Sequence, residues 1–226
     1  MEMLKTAILL IKKDIQLEKN TGQLSGAILL FALLAGTIFS MAFLPGQNQL
    51  QNFFPGIYWF TQIFAVMLVL NRSFIRDTEN SCQTAILMAP ISREMLLLAR
   101  IFANYLLFLL LSVIISPVLF ILFDAIPISG PFWLLPIVLL VNYGLASTGS
   151  LLAALATSTR ISDILLPVLL LPVLIPLILA AIETTRVLYF SQLDYNQLYF
   201  WLLFMLIYNI ISTLISYLLA PYLMTE

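Results

Sequence analysis

The chain has 226 residues, 62% of them hydrophobic and only 9% charged, with 10 Lys and Arg against 11 Asp and Glu for a net charge of −1. Soluble domains carry about 25% charged residues, so this composition excludes a water-soluble enzyme, and the charge balance excludes a basic nucleic-acid binder or an acidic tail protein. There is no His, and Cys82 is the only cysteine, which removes the commonest general base, His ligation of a metal or haem, an intrachain disulfide and any Cys-pair metal site.

A mean hydropathy of +1.06 identifies an integral membrane protein, and the elements follow in chain order. Residues 1–24 read as an amphipathic lead-in helix: Leu4, Ile8, Ile11 and Ile15 share one face, and Lys5, Lys12 and Lys19 gather on a flank suited to anionic headgroups. About 20 apolar residues cross the hydrocarbon core as a helix, and six segments qualify: 25–44, 53–70, 101–123, 132–156, 164–182 and 198–220. Backbone amides in lipid must be satisfied internally, and the alternation of a β-barrel is absent. The expected fold is therefore all-α with six transmembrane helices. A cleaved signal peptide is the competing reading of the first segment, with Ser40-Met41-Ala42 as a small-x-small site. That segment exceeds the 7–15 residues of a signal core, and its removal would spoil the charge pattern.

That pattern sets orientation. Lys5, Lys12, Lys13 and Lys19 precede the first span, Arg72, Arg76, Arg93 and Arg100 lie between spans two and three, and Arg160 lies between four and five, against Arg186 alone on the other side. Both termini are expected in the cytoplasm. The longest polar stretch, residues 71–100, is then a cytoplasmic loop with room for a short helix over 77–88, Pro90 as a divider, and Ser92 as N-cap of the third span with Glu94 in its first turn. Its length marks it as a docking element rather than a tether. The outer connections are shorter, except 183–197, where Tyr189, Phe190 and Tyr195 suit an interfacial belt.

Three features stand out within the spans. Ala32, Gly36 and Ser40, and likewise Ala146, Ser150 and Ala154, lie four apart and make smooth faces for close helix packing. Pro167, Pro172 and Pro176 fall within ten residues of span five, which predicts a kinked or broken helix serving as a hinge. Asn104, Asn142 and Asn209 are read as helix glue rather than ligand contacts. The chain has no P-loop, no acidic residue mid-span, since Asp124, Asp163, Glu183 and Asp194 lie at ends or in loops, and no catalytic constellation. An ion-coupled carrier is disfavoured, no catalytic or metal-binding residue is expected, and any energy must come from another subunit.

The outline resembles the permease subunits of ATP-binding-cassette exporters of the six-helix ABC-2 kind, and more narrowly the CcmB family, the haem-exporter B subunits of cytochrome c maturation. Three patches carry the resemblance. Pro55-Gly56-Ile57-Tyr58-Trp59 is similar to the family's PGI-x-W stretch, Arg72-Ser73-Phe74 continuing to Pro90 to its R-x-F cytoplasmic motif, and Leu171-Pro172-Val173-Leu174-Ile175-Pro176-Leu177 to its LP-x-x-IPL signature. Around the cytoplasmic motif the chain departs from the family pattern, with Asn71 for an acidic residue and with Ile75, Arg76-Asp77 and Ser81 following.

The resemblance implies an inner-membrane permease with no cofactor of its own, paired as two copies and docked to a CcmA-like ATPase that holds ATP and Mg. Docking would fall on Arg72, Phe74, Arg76, Asp77, Glu79 and Pro90. It further implies a CcmC-like haem-handling protein, a CcmD-like small subunit and a CcmE-like haem chaperone as partners, ATP use being linked to release of the loaded chaperone. Readings from other classes are a non-transporting membrane scaffold and an ABC-2 permease for lipid or polysaccharide.

Overall fold

The computed structural model describes residues 23–42, 50–79, 92–124, 133–157, 162–190 and 194–223. They form six helices: α1 (Gln23–Ala42), α2 (Leu50–Glu79), α3 (Arg93–Phe123), α4 (Leu134–Thr157), α5 (Ser162–Phe190) and α6 (Tyr195–Leu223). Five of them, α2 to α6, are long and apolar enough to cross a membrane, and in α1 the apolar run among the described residues is Leu29–Phe39. The lead-in segment, residues 1–22, and Pro90 lie outside the described residues.

α4 is the centre of the bundle, packed against α2, α3, α5 and α6. Its span is 78% buried, whereas that of α6 is 22% buried, so α4 is a core helix and α6 lies at the periphery. Sequence explains the difference. α4 carries Gly144, Ala146, Ser147, Thr148, Gly149, Ser150, Ala153 and Ala154 in quick succession, and small residues let neighbouring backbones approach. A Cβ added at Gly149 would come 2.7 Å from Leu70 Cδ1, and one at Gly144 would come 2.6 Å from both Asn209 Oδ1 and Leu177 Cδ2. α1 packs on α2 and α3, where a Cβ on Gly36 would lie 2.6 Å from Leu122 Cδ1.

Several boundaries differ from the sequence reading. The polar stretch expected as a loop from residue 71 to 100 is helical at both ends, since α2 runs on to Glu79 and α3 begins at Arg93. Nothing in 71–79 breaks a helix, being free of Pro and Gly. Ser92 does occupy the N-cap position of α3, with Glu94 in the first turn, but its side chain makes no capping bond. α3 ends at Asp124, which adopts the left-handed conformation at φ 46° and donates its N–H to Phe120 O, a geometry that Asp tolerates.

α5 is neither broken nor short. It runs unbroken for 29 residues through Pro167, Pro172 and Pro176. It also extends past the predicted end at 182, so Glu183 lies inside the helix rather than in a loop, paired with Arg186 at 3.4 Å. Tyr189 is not a belt residue. It is buried, with its ring 5.2 Å from that of Phe54, and this aromatic packing together with buried Thr184 and Thr185 draws the last turns of α5 into the bundle. Asp194 instead starts α6, its Oδ1 accepting the N–H of Asn196 at 3.1 Å and of Gln197 at 3.5 Å.

The close approach at Gly144 generates a stability prediction. Gly144→Val drives a branched side chain into Asn209 and Leu177 and should destabilise the bundle by about 1–3 kcal/mol, read as a lower unfolding midpoint of the purified protein in detergent.

Candidate functional site

Most charge on the described residues lies where α2 leaves the bundle and α3 enters it. A helix rises about 1.5 Å per residue, so the 30 residues of α2 and the 31 of α3 each span about 45 Å against a hydrocarbon core of about 30 Å. The apolar span of α2 is Phe53–Leu70, which leaves residues 71–79 as two and a half further turns carrying Arg72, Phe74, Arg76, Asp77 and Glu79. Arg93, Glu94 and Arg100 occupy the first two turns of α3. The residues proposed for docking thus share one helical extension, apart from Pro90. The expected helix over 77–88 falls largely outside the described residues, only 77–79 being seen as the last turn of α2.

At the centre, amides and hydroxyls tie three helices together. Gln62 of α2 donates through Nε2 to Ser112 Oγ at 2.8 Å, to Asn142 Oδ1 at 3.0 Å and, at a longer 3.4 Å, to Phe108 O. Asn142 of α4 donates through Nδ2 to the same Ser112 Oγ at 2.8 Å and to Val138 O at 2.8 Å. Ser112 of α3 accepts both amides and donates its own hydroxyl to Phe108 O at 3.0 Å. Gln62 and Asn142 are fully buried. The two N–H groups of Gln62 Nε2 serve the two short bonds, the 3.4 Å approach to Phe108 O sharing one of them, and Gln62 Oε1 has no partner among the described residues. Asn104 repeats the theme nearby, donating to Ser150 Oγ at 2.8 Å. Tyr58 OH pairs with Ser116 Oγ at 2.9 Å and Trp59 Nε1 donates to Thr185 Oγ1 at 3.0 Å, which joins α2 to α3 and α5.

A second polar seam joins α4 to α6 and reaches the proline segment. Ser147 and Thr148 pair with Ser212 at 2.9 and 3.0 Å, Tyr143 pairs with Thr213 at 3.0 Å, and Asn209 donates to Leu140 O at 2.9 Å. Tyr208 OH lies 3.1 Å from Thr148 Oγ1 and donates to Val173 O at 3.1 Å. Val173 lies between Pro172 and Pro176, the latter of which deprives Pro172 O of its helical donor. The proline run thus meets a phenol of α6 at Val173 O, while the side chains of Val168, Val173, Ile175 and Leu179 are exposed.

The CcmB protein family matches residues 5–222, nearly the whole chain. The chain belongs to the CcmB family. Curated relatives include heme exporter protein B of Pseudomonas aeruginosa, 30% identical over 173 residues that cover 76% of this chain and 77% of that protein. Heme exporter protein B of Rhodobacter capsulatus is 28% identical over 177 residues, or 78% of this chain and 81% of that protein, and that of Paracoccus denitrificans is 27% identical over 179 residues, with 78% and 81% covered. This CcmB chain is therefore a multi-pass membrane protein of permease type.

Within this CcmB chain the two small-residue faces differ in surroundings. Ala146, Ser150 and Ala154 are all buried in α4, and Ser150 carries the bond from Asn104. Ala32 is buried, Gly36 meets Leu119 and Leu122 of α3, and Ser40 lies in α1 with its side chain outside the described set. Among the described residues no group of three His, Cys, Asp or Glu is placed to hold a metal. Sequence reasoning named the three asparagines and missed Gln62, which has the same amide chemistry inside a predicted span. It also missed Ser112, Thr148, Tyr208 and Ser212, whose small hydroxyls carry no signal until their partners are known.

The central amide cluster predicts coupling. In a double-mutant cycle of Gln62→Leu and Asn142→Leu, read by unfolding in mixed micelles, the interaction should be about 0.6 kcal/mol and at most about 1.7, the average and the maximum for polar pairs inside membranes.

Proposed function

We propose that the chain is the membrane subunit of a haem exporter serving cytochrome c maturation, an ABC-2 permease driven by a separate ATPase. The observation that carries this reading is the family match over residues 5–222, with curated relatives named heme exporter protein B. In this reading α1 is the first of six spans, the protein sits in the inner membrane, and both termini face the cytoplasm together with the α2–α3 extensions. The positive-inside distribution of Arg72, Arg76, Arg93 and Arg100 supports that orientation.

The chain binds ATP nowhere itself. A CcmA-like ATPase docks on the polar end of α2 and the residues that lead to α3, through Arg72, Phe74, Arg76, Asp77, Glu79 and Pro90. What supports this is a charged helix that continues α2 beyond its apolar span without interruption, a rigid lever on which a partner can push. Motion of the lever reaches α5 by way of α2, since Trp59 bonds Thr185, and it reaches the proline run Pro167, Pro172 and Pro176, which bends. Two ATPase subunits imply two copies of this chain. Haem is cargo of the complex, presented by a CcmC-like protein with its CcmD-like companion and received by a CcmE-like chaperone, whose loaded form the ATP cycle releases. With no His in the chain, this subunit transmits force and leaves axial His ligation to its partners.

Arg72→Ala combined with Arg76→Glu should lower co-purification of the ATPase subunit by about tenfold or more, as charge reversal at an interface does. Unchanged recovery of the ATPase and unchanged coupled turnover would remove the docking assignment. Pro172→Ala with Pro176→Ala separates a mechanical part from a scaffold: the complex should still assemble but lose chaperone release, whereas a scaffold would keep both.

A further inference from the structure

An open groove of about 600 Å³ lies along the outside of the bundle between α3, α4 and α6. Its walls include Leu98 and Tyr105 of α3, Tyr143 of α4, and Ile210, Thr213 and Tyr217 of α6. The hydroxyls in the middle of it are already committed. Tyr143 OH pairs with Thr213 Oγ1 at 3.0 Å, and Thr213 donates to Asn209 O at 2.7 Å. What the groove offers an occupant is mainly hydrocarbon and ring faces, with the phenols of Tyr105 and Tyr217 and the Oδ1 of Asn209, unpartnered among the described residues, as its other polar atoms.

All three helices are long and apolar enough to cross a membrane, so the medium at the groove's open side is lipid. On α6 the groove runs from Leu206 to Tyr217. Eleven residues at about 1.5 Å each make about 17 Å, which matches one hydrocarbon leaflet of about 15 Å. One helical turn beyond Tyr217, on the same face of α6, Pro221 O accepts Nη1 of Arg93 at 3.4 Å. Arg93 is exposed and begins α3. Its guanidinium carries five donors in a planar fork that suits phosphate, and one long bond to a carbonyl engages one of them. Glu94, the next residue, is turned about 100° around α3. An apolar slot of leaflet depth with an arginine at its headgroup end has the two-part chemistry of an anionic phospholipid.

We propose that this groove is a phospholipid site: one acyl chain lies against Tyr105, Ile210 and Tyr217, and the phosphate of an anionic headgroup meets Arg93. The proposal rests on the helices crossing a bilayer and stands apart from the haem-export reading. It is tested on the full chain in phosphatidylcholine nanodiscs, using phosphatidylglycerol or phosphatidylcholine that carries a photoactivatable diazirine on one acyl chain, with labelled peptides mapped by mass spectrometry.

Labelling of the groove peptides should be about fivefold stronger from phosphatidylglycerol, the preference one arginine near the membrane surface confers. Arg93→Gln should abolish that preference, Arg93→Lys should keep it, and Ile210→Trp, which fills the slot, should remove groove labelling from either lipid. Equal labelling by the two lipids, or labelling as strong on the exposed Val173 and Ile175 face as in the groove, would overturn the proposal. So would loss of groove labelling when the chain is taken with its co-purifying partners, which would give the groove to a partner's transmembrane helix.

Discussion

Inside a hydrocarbon slab, a polar group finds its partner within the protein or has none. Almost every feature of this bundle answers that constraint. Among the described residues the backbone answers with helices, five of them long and apolar enough to cross a membrane. The side chains answer with the Gln62–Ser112–Asn142 cluster and the Ser147–Thr148–Tyr208–Ser212 seam, both of which meet at α4. Because α4 is rich in small residues, its neighbours come close enough for short side chains to reach one another, and packing and hydrogen bonding become two consequences of one composition.

Charge was the most legible signal in the sequence. The scarcity of Lys, Arg, Asp and Glu gave the membrane class, and the apolar run lengths gave the helices: α1, α4 and α6 begin and end within three residues of the expected places, while α2, α3 and α5 each overrun one end by eight or nine. Where the boundaries moved, local hydropathy had yielded to context. The stretch after Ile182 looks polar in isolation, yet Thr184 and Thr185 bond back to their own helix and the Tyr189 ring packs at a tilt against Phe54, so the helix continues. The stretch after Leu70 is polar and remains helical because no residue in it ends a helix. Three prolines predicted a kinked or broken α5, and the helix runs through them without a break, with Val173 O bonded by Tyr208.

The candidate site was legible only in outline. Arg72 to Glu79 announced themselves by charge, but that they continue α2 as one unbroken helix is a property of the backbone. Gln62 was readable as an amide in a span, whereas its facing toward α3 and α4 depends on the rotation of α2. The family match supplies what neither composition nor packing contains, namely the link to heme exporter protein B relatives. In the resulting account, an apolar bundle with a polar handle is moved by an engine it does not contain.

ATP hydrolysis by the chain purified away from every partner and placed in nanodiscs tests that account most directly. It predicts turnover no higher than empty nanodiscs until the ATPase subunit is added, and then turnover that depends on the charged end of α2. Hydrolysis by the chain alone would contradict it.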